Sequence, residues 1–143
     1  MIDLREKSVL IIDDDTAMLR ALEKVLSGEG AAVTRLERAA DALETLAVRK
    51  EKTDLVITDL RMPFVSGITL VNAIHGAFPG LPIIVLTAFG SPYVRSECMR
   101  LGAAAFLEKP LNTPQLLDAI ERAMSPQAKT GLHLSRPGTL PPK

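Results

Sequence analysis

Short, nearly uninterrupted apolar runs alternate along this chain with longer stretches in which apolar residues recur every three or four positions. The runs are residues 9–12 (VLII), 55–57 (LVI), 83–86 (IIVL) and 104–107 (AAFL). Each is too short for a helix, and apolar residues at consecutive positions suit a strand buried on both faces. Residues 32–36 alternate weakly and carry Thr34 and Arg35, which predicts a strand nearer a sheet edge.

The intervening stretches have helical spacing. Met18, Leu19, Leu22, Val25 and Leu26 form one stripe in a helix closed by Gly28 and Gly30. Ala39, Leu43, Leu46 and Ala47 share a face over 39–49, and Ile68, Leu70, Val71 and Ile74 predict a short helix stopped by Gly76. A further helix covers 91–101, with Ser91 as cap and Pro92 in the first turn. In the last helix Thr113 is the expected cap, Pro114 the first position, and Leu116, Leu117, Ile120, Ala123 and Met124 the inner face. Five strands alternating with five helices predict an α/β domain, a parallel sheet covered on both faces.

Composition bounds the partners. Lys+Arg and Asp+Glu balance at 17 each, so the strongly basic face of a free-standing nucleic-acid binder is not expected. Cys98 is the single cysteine, which excludes an internal disulfide and predicts a small buried hydrophobe. No stretch approaches the ~20 apolar residues that span a bilayer, so the expected location is the cytoplasm, away from the membrane. A domain over 1–124 is followed by 125–143, which holds four of the ten prolines and no acid. That segment, with His133 and Leu134, reads as a solvated linker or tail.

The polar residues at the strand ends carry the chemistry. Asp13, Asp14 and Asp15 follow the first strand, Asp59 the third, Thr87 ends the fourth and Lys109 lies just past the fifth. Pro63 and Gly67 take the chain out of the sheet after Asp59. In a parallel sheet all carboxyl ends lie along one edge, and ligands bind there where strand order reverses. Carboxylates gathered at that edge need a proton or a cation to offset their repulsion. Oxygen ligands without His or Cys favour magnesium, with manganese or calcium as alternatives. Lys109 and Thr87 supply the charge and the hydroxyl that would hold phosphoryl oxygens, and Asp59, standing singly opposite the acid pair, is the candidate nucleophile. Asp15 is expected to cap the first helix, and the Arg61 side chain to point to solvent.

IIDDD, DLVITDLRMP with Gly67, VLTA and FLEKP occur in an order and at spacings that resemble the two-component response-regulator receiver domain, across roughly residues 7–124. The resemblance implies a flavodoxin-like fold with strand order 2-1-3-4-5. It implies that Asp59 accepts a phosphoryl group from a sensor histidine kinase. Magnesium would be held by Asp14, Asp59 and the backbone carbonyl of Arg61, with Asp13 binding mainly through water. Thr87 would move to meet the phosphate, Lys109 would pair with it, and Phe106 would change rotamer as the switch aromatic. The Lys109–Pro110 bond is cis in similar domains.

Output is then expected through the face of the fourth helix, fifth strand and fifth helix, to an output domain or partner protein in transcriptional control, with a phosphorylation-dependent homodimer as a further expectation. Ser66 stands where the family often has Asp, and Phe106 where many members have Tyr. The segment AAAFLEKP lacks the acidic pair of winged-helix regulators and is closer to receivers of AAA+ activators or helix-turn-helix regulators. Haloacid-dehalogenase-type phosphatases offer a second reading of Asp13-Asp14-Asp15, but their box needs Thr or Val fifth, where this chain has Ala17. A pseudo-receiver without phosphate chemistry is the third, against which stands the complete set of acids, Thr and Lys.

Overall fold

The apolar runs become parallel strands because only the middle of a covered sheet offers burial to consecutive residues. The computed structural model describes residues 2–49, 52–61 and 66–125. Pro63, Lys50 and the tail beyond Ser125, with His133 and Leu134, lie outside the described residues. The strands are β1 (Ser8–Ile12), β2 (Ala32–Leu36), β3 (Leu55–Thr58), β4 (Ile83–Thr87) and β5 (Ala105–Glu108). They form one parallel sheet in the order β2-β1-β3-β4-β5. Helices α1 (Thr16–Gly28), α2 (Ala42–Arg49), α3 (Gly67–Ala77), α4 (Pro92–Arg100) and α5 (Thr113–Ala123) connect them. Among the described residues no helix is long and apolar enough to cross a membrane.

The strand period of two divides the core. Val9, Ile11, Leu55, Ile57, Ile84, Leu86 and Leu107 pack with Leu19, Leu22 and Leu26 of α1 and with Leu116 and Ile120 of α5. Leu10, Ile12, Val56, Ile83, Val85 and Phe106 face the other way, onto Leu46 of α2, Val71 and Ile74 of α3 and Cys98 of α4. Cys98 is fully buried, as expected of a small hydrophobe, and burial followed by the charge of Glu97 pushes its thiol pKa up.

Several local expectations are corrected. Residues 39–41 form a turn of 3₁₀ helix before α2, so the winding changes from three to 3.6 residues per turn. The buried set is therefore Ala39, Ala42 and Leu46, and the predicted Leu43 and Ala47 are exposed. Helix α3 continues through Gly76 and ends at the cap Phe78, whose N–H donates to Ile74 O. The cap of α5 is Asn112, not Thr113: its side-chain oxygen accepts from Gln115 N–H at 2.9 Å, and Pro114 is second in the helix. Strand β5 starts at Ala105, one residue later than predicted.

Gly67 sets the distance between the end of β3 and the start of α3. Its N–H donates to Leu60 O at 2.9 Å, and an added Cβ would lie 2.6 Å from that oxygen and closer still to Leu60 Cα. Backbone cannot rotate aside as a side chain does. Gly67→Ala is expected to destabilise the fold by about 3 kcal/mol, read from the urea midpoint.

Candidate functional site

The order β2-β1-β3-β4-β5 reverses direction between β1 and β3, where the crevice of a doubly wound sheet opens. Register delivers the acids to it. Ile12 pairs with Thr58, so the next residues, Asp13 and Asp59, leave their strands side by side, and Asp59 N–H donates to Ile12 O at 3.0 Å. On the far side Thr87 pairs with Glu108, and Lys109 N–H donates to Thr87 O at 2.9 Å. The Lys109–Pro110 bond is cis, as the resemblance implies.

Carboxylate oxygens of Asp13, Asp14 and Asp59 all lie within 4.8 Å of one another. Asp13 and Asp59 are buried, and Asp14 is exposed at the rim. The Lys109 ammonium donates to Asp13 Oδ2 at 2.9 Å and to Asp59 Oδ2 at 3.2 Å. Asp59 Oδ1 accepts from Leu60 N–H at 2.6 Å and Arg61 N–H at 3.4 Å, which fixes the carboxylate plane. Asp13 Oδ1 accepts from Asp15 N–H at 2.9 Å. Asp15 itself caps α1, accepting from Ala17 and Met18 N–H groups, as expected.

Asp13 and Lys109 are both shifted upward, for different reasons. Burial pushes the Asp13 carboxyl above its ordinary range, the hydrogen bond from Lys109 pulls it part of the way back, and the Asp59 charge adds to the rise. For Lys109, burial opposes the charged form, but the hydrogen bond to Asp13 and the charges of both acids outweigh it, and its pKa rises. A carboxyl whose folded pKa is raised weighs against the fold once pH exceeds that pKa, and ceases to do so below the unfolded value. Burial of Asp13 thus weighs against the fold, and the pair with Lys109 offsets part of that cost. Three oxygen donors, without His or Cys, fit a hard divalent ion such as magnesium.

The other predicted residues stand around this core. Thr87 is fully buried, and its hydroxyl oxygen accepts from Phe89 N–H at 3.1 Å. The structure brings together Asp13, Asp14, Asp59 and Lys109; Thr87 joins them by its backbone link to Lys109, while its hydroxyl is turned to its own loop. Phe106 is buried beneath the β4–α4 loop, outside the acid cluster: a Cβ on Gly90 would sit 3.0 Å from its Cε1.

Sequence reasoning missed Arg95 of α4, which donates to Phe106 O at 3.2 Å with its guanidinium 5.9 Å from the Phe106 ring. A lone arginine on an exposed helix carries no signal for such a contact. Arg61 is exposed, as expected, and the structure adds a contact. Its side chain is exposed but engaged, with Cζ 4.2 Å from the centroid of the Phe89 ring.

A doubly wound parallel sheet with acids and a lysine at its switch point defines the class, an α/β domain with an acidic pocket at the carboxyl edge of its sheet. The family model described as the response regulator receiver domain matches residues 9–121, and the chain belongs to that family. The transcriptional regulatory protein GlrR of Escherichia coli (strain K12) is 38% identical over 120 residues, 84% of this chain and 27% of that protein. The chain spans about a quarter of the length of the curated relatives it matches. A CheY-like receiver domain protein from Methanospirillum hungatei JF-1 has a TM-score of 0.79 at 31% identity, over 87% of this chain and 98% of that one. A response regulator from Burkholderia pseudomallei, solved with a phosphorylated aspartic acid and a calcium ion, has a TM-score of 0.73 at 28% identity, over 85% and 68%. The chain is thus a signalling domain of the two-component type, with the flavodoxin-like fold.

Proposed function

We propose that residues 1–124 act as a phosphorylation-driven switch in which Asp59 accepts a phosphoryl group from a sensor histidine kinase. The observation that carries this is the single pocket of Asp13, Asp14, Asp59 and Lys109, assembled from three chain-distant segments. An Asp59 oxygen attacks phosphorus, and the phosphorus–nitrogen bond of the donor's phosphohistidine breaks, leaving an acyl phosphate and a neutral imidazole once that group takes up a proton. Magnesium, or manganese in its place, would be held by Asp14, Asp59, the Arg61 carbonyl and, through water, Asp13, and would neutralise charge on the transferring oxygens.

Lys109 keeps Asp13 and Asp59 in place before transfer and pairs with the phosphoryl group afterwards. Thr87 exchanges its bond from Phe89 N–H for one that it donates to a phosphoryl oxygen. That exchange pulls on the β4–α4 loop, and Phe106 beneath it changes rotamer. The face of α4, β5 and α5 then reports the state to an output domain or partner in transcriptional control, by way of a homodimer or directly, and residues 125–143 serve as the connection. The relatives' names support transcription, and the balanced charge supports output without nucleic-acid contact by this domain.

Incubation with acetyl phosphate and magnesium is expected to raise the intact mass by one phosphoryl group. Replacing magnesium with EDTA should abolish the uptake. Equal uptake in both buffers, or none in either, contradicts the reading.

A further inference from the structure

Thr58 is the last residue of β3, paired with Ile12 of β1 on one side and Val85 of β4 on the other, and it is fully buried. A hydroxyl at such depth costs free energy unless it is bonded, and valine would fill the same space without that cost. The bond it makes is specific: the Thr58 hydroxyl donates to Asp59 O at 2.9 Å. That carbonyl and the Leu60 N–H are the two ends of one planar peptide unit, so whatever holds the first orients the second. The Leu60 N–H donates to Asp59 Oδ1 at 2.6 Å, shorter than an ordinary N–H···O bond. A donor on the carbonyl polarises the amide and strengthens its N–H, so the hydroxyl and the short bond act as one chain. With Oδ1 held by the backbone, Oδ2 faces Lys109 in the pocket at 3.2 Å.

We infer that Thr58 is a positioning residue for phosphoryl transfer, its hydroxyl holding the Asp59–Leu60 peptide so that the Leu60 N–H fixes the plane of the Asp59 carboxylate. The inference rests on the proposed acceptor role of Asp59 and adds what keeps that acceptor in its attacking geometry. Thr58 is fixed within the ladder of β1, β3 and β4, and its β-branched side chain has few rotamers, so the hydroxyl is delivered from a rigid place. Being buried, it offers a phosphoryl donor no contact. Its loss therefore leaves donor affinity alone and lowers the rate at saturation.

The test is the rate of phosphorylation against acetyl phosphate concentration at saturating magnesium, followed by intact mass. Thr58→Val, which keeps the shape of the side chain and removes the hydroxyl, is expected to lower the maximal rate about five- to twentyfold, with the half-saturating concentration unchanged. Thr58→Ser, which keeps the hydroxyl and gives up the methyl group, should recover most of that rate. In the metal-free protein the Leu60 amide proton should resonate downfield, as a proton in a short bond to a carboxylate does. It should move upfield in Thr58→Val and return in Thr58→Ser. A maximal rate unchanged in Thr58→Val, equal losses in Thr58→Val and Thr58→Ser, a change in half-saturation alone, or a Leu60 resonance indifferent to the substitution overturns this inference and leaves the acceptor assignment intact. A wild-type protein that takes up no phosphoryl group overturns both.

Discussion

Asp59→Asn is expected to take up no phosphoryl group from acetyl phosphate and magnesium under conditions that modify the wild type, and to be more stable than the wild type in EDTA. The amide keeps the oxygen that accepts from Leu60 N–H, so the loop after β3 holds its shape. What it lacks is the anionic nucleophile. The stability gain follows from charge. At an effective dielectric of ~20, unit charges 4.8 Å apart interact by ~3.5 kcal/mol and those 3.2 Å apart by ~5 kcal/mol. Removing the Asp59 charge thus relieves two repulsions, from Asp13 and Asp14, against one attraction to Lys109, and also removes the cost of burying it. A gain of roughly 1–2 kcal/mol follows, readable as a higher melting temperature in low-salt EDTA. Uptake equal to wild type would move the acceptor elsewhere in the cluster, and a lower melting temperature would mean that the pair with Lys109 outweighs the acid repulsion.

Lys109→Met should have the opposite effect on the metal-free protein. The three side chains of this buried group are 14%, 3% and 5% exposed for Lys109, Asp13 and Asp59. Methionine replaces the aliphatic stem but leaves two buried carboxylates without their ammonium, a loss of about 3–5 kcal/mol. A divalent ion then has more repulsion to relieve. Magnesium should raise the melting temperature of the variant by more than it raises that of the wild type, for which an ion at a hundredfold excess over its Kd adds about 2.7 kcal/mol.

The sign with pH follows from the raised Lys109 pKa, in which burial is outweighed by the hydrogen bond to Asp13 and the charges of both acids. That contribution is fully present below the ordinary lysine pKa and is lost as pH climbs through the higher folded value. The gap between wild type and variant should therefore close only in strongly alkaline solution. Melts in EDTA and in magnesium, repeated from neutral to alkaline pH, measure all three expectations. A variant as stable as wild type in EDTA would contradict the role given to Lys109.

How legible each feature was depended on its range along the chain. Residues 55–57 and 83–86 announce buried strands because short, consecutive apolar runs rich in Val and Ile suit a strand covered on both faces. The strand ends announce the pocket because a parallel sheet has one carboxyl edge. Boundaries were less legible where two residues could satisfy the same backbone group. Asn112 and Thr113 are both good caps, and only the direction in which the chain enters α5 selects Asn112. Likewise Leu43 belongs to the inner face of an ideal helix, but the 3₁₀ turn over residues 39–41 rotates that face away.

By itself the amino-acid sequence determined the alternation of five strands and five helices, the parallel sheet and the identity of the acids, hydroxyl and lysine at its edge. These follow from local periodicity and from where apolar runs stop. Tertiary structure alone decided that Lys109 bridges Asp13 and Asp59, that Arg95 reaches the Phe106 carbonyl and that Arg61 lies on Phe89. Each of these joins side chains on different segments, and their meeting depends on strand register and rotamer, which hydrophobic pattern leaves open.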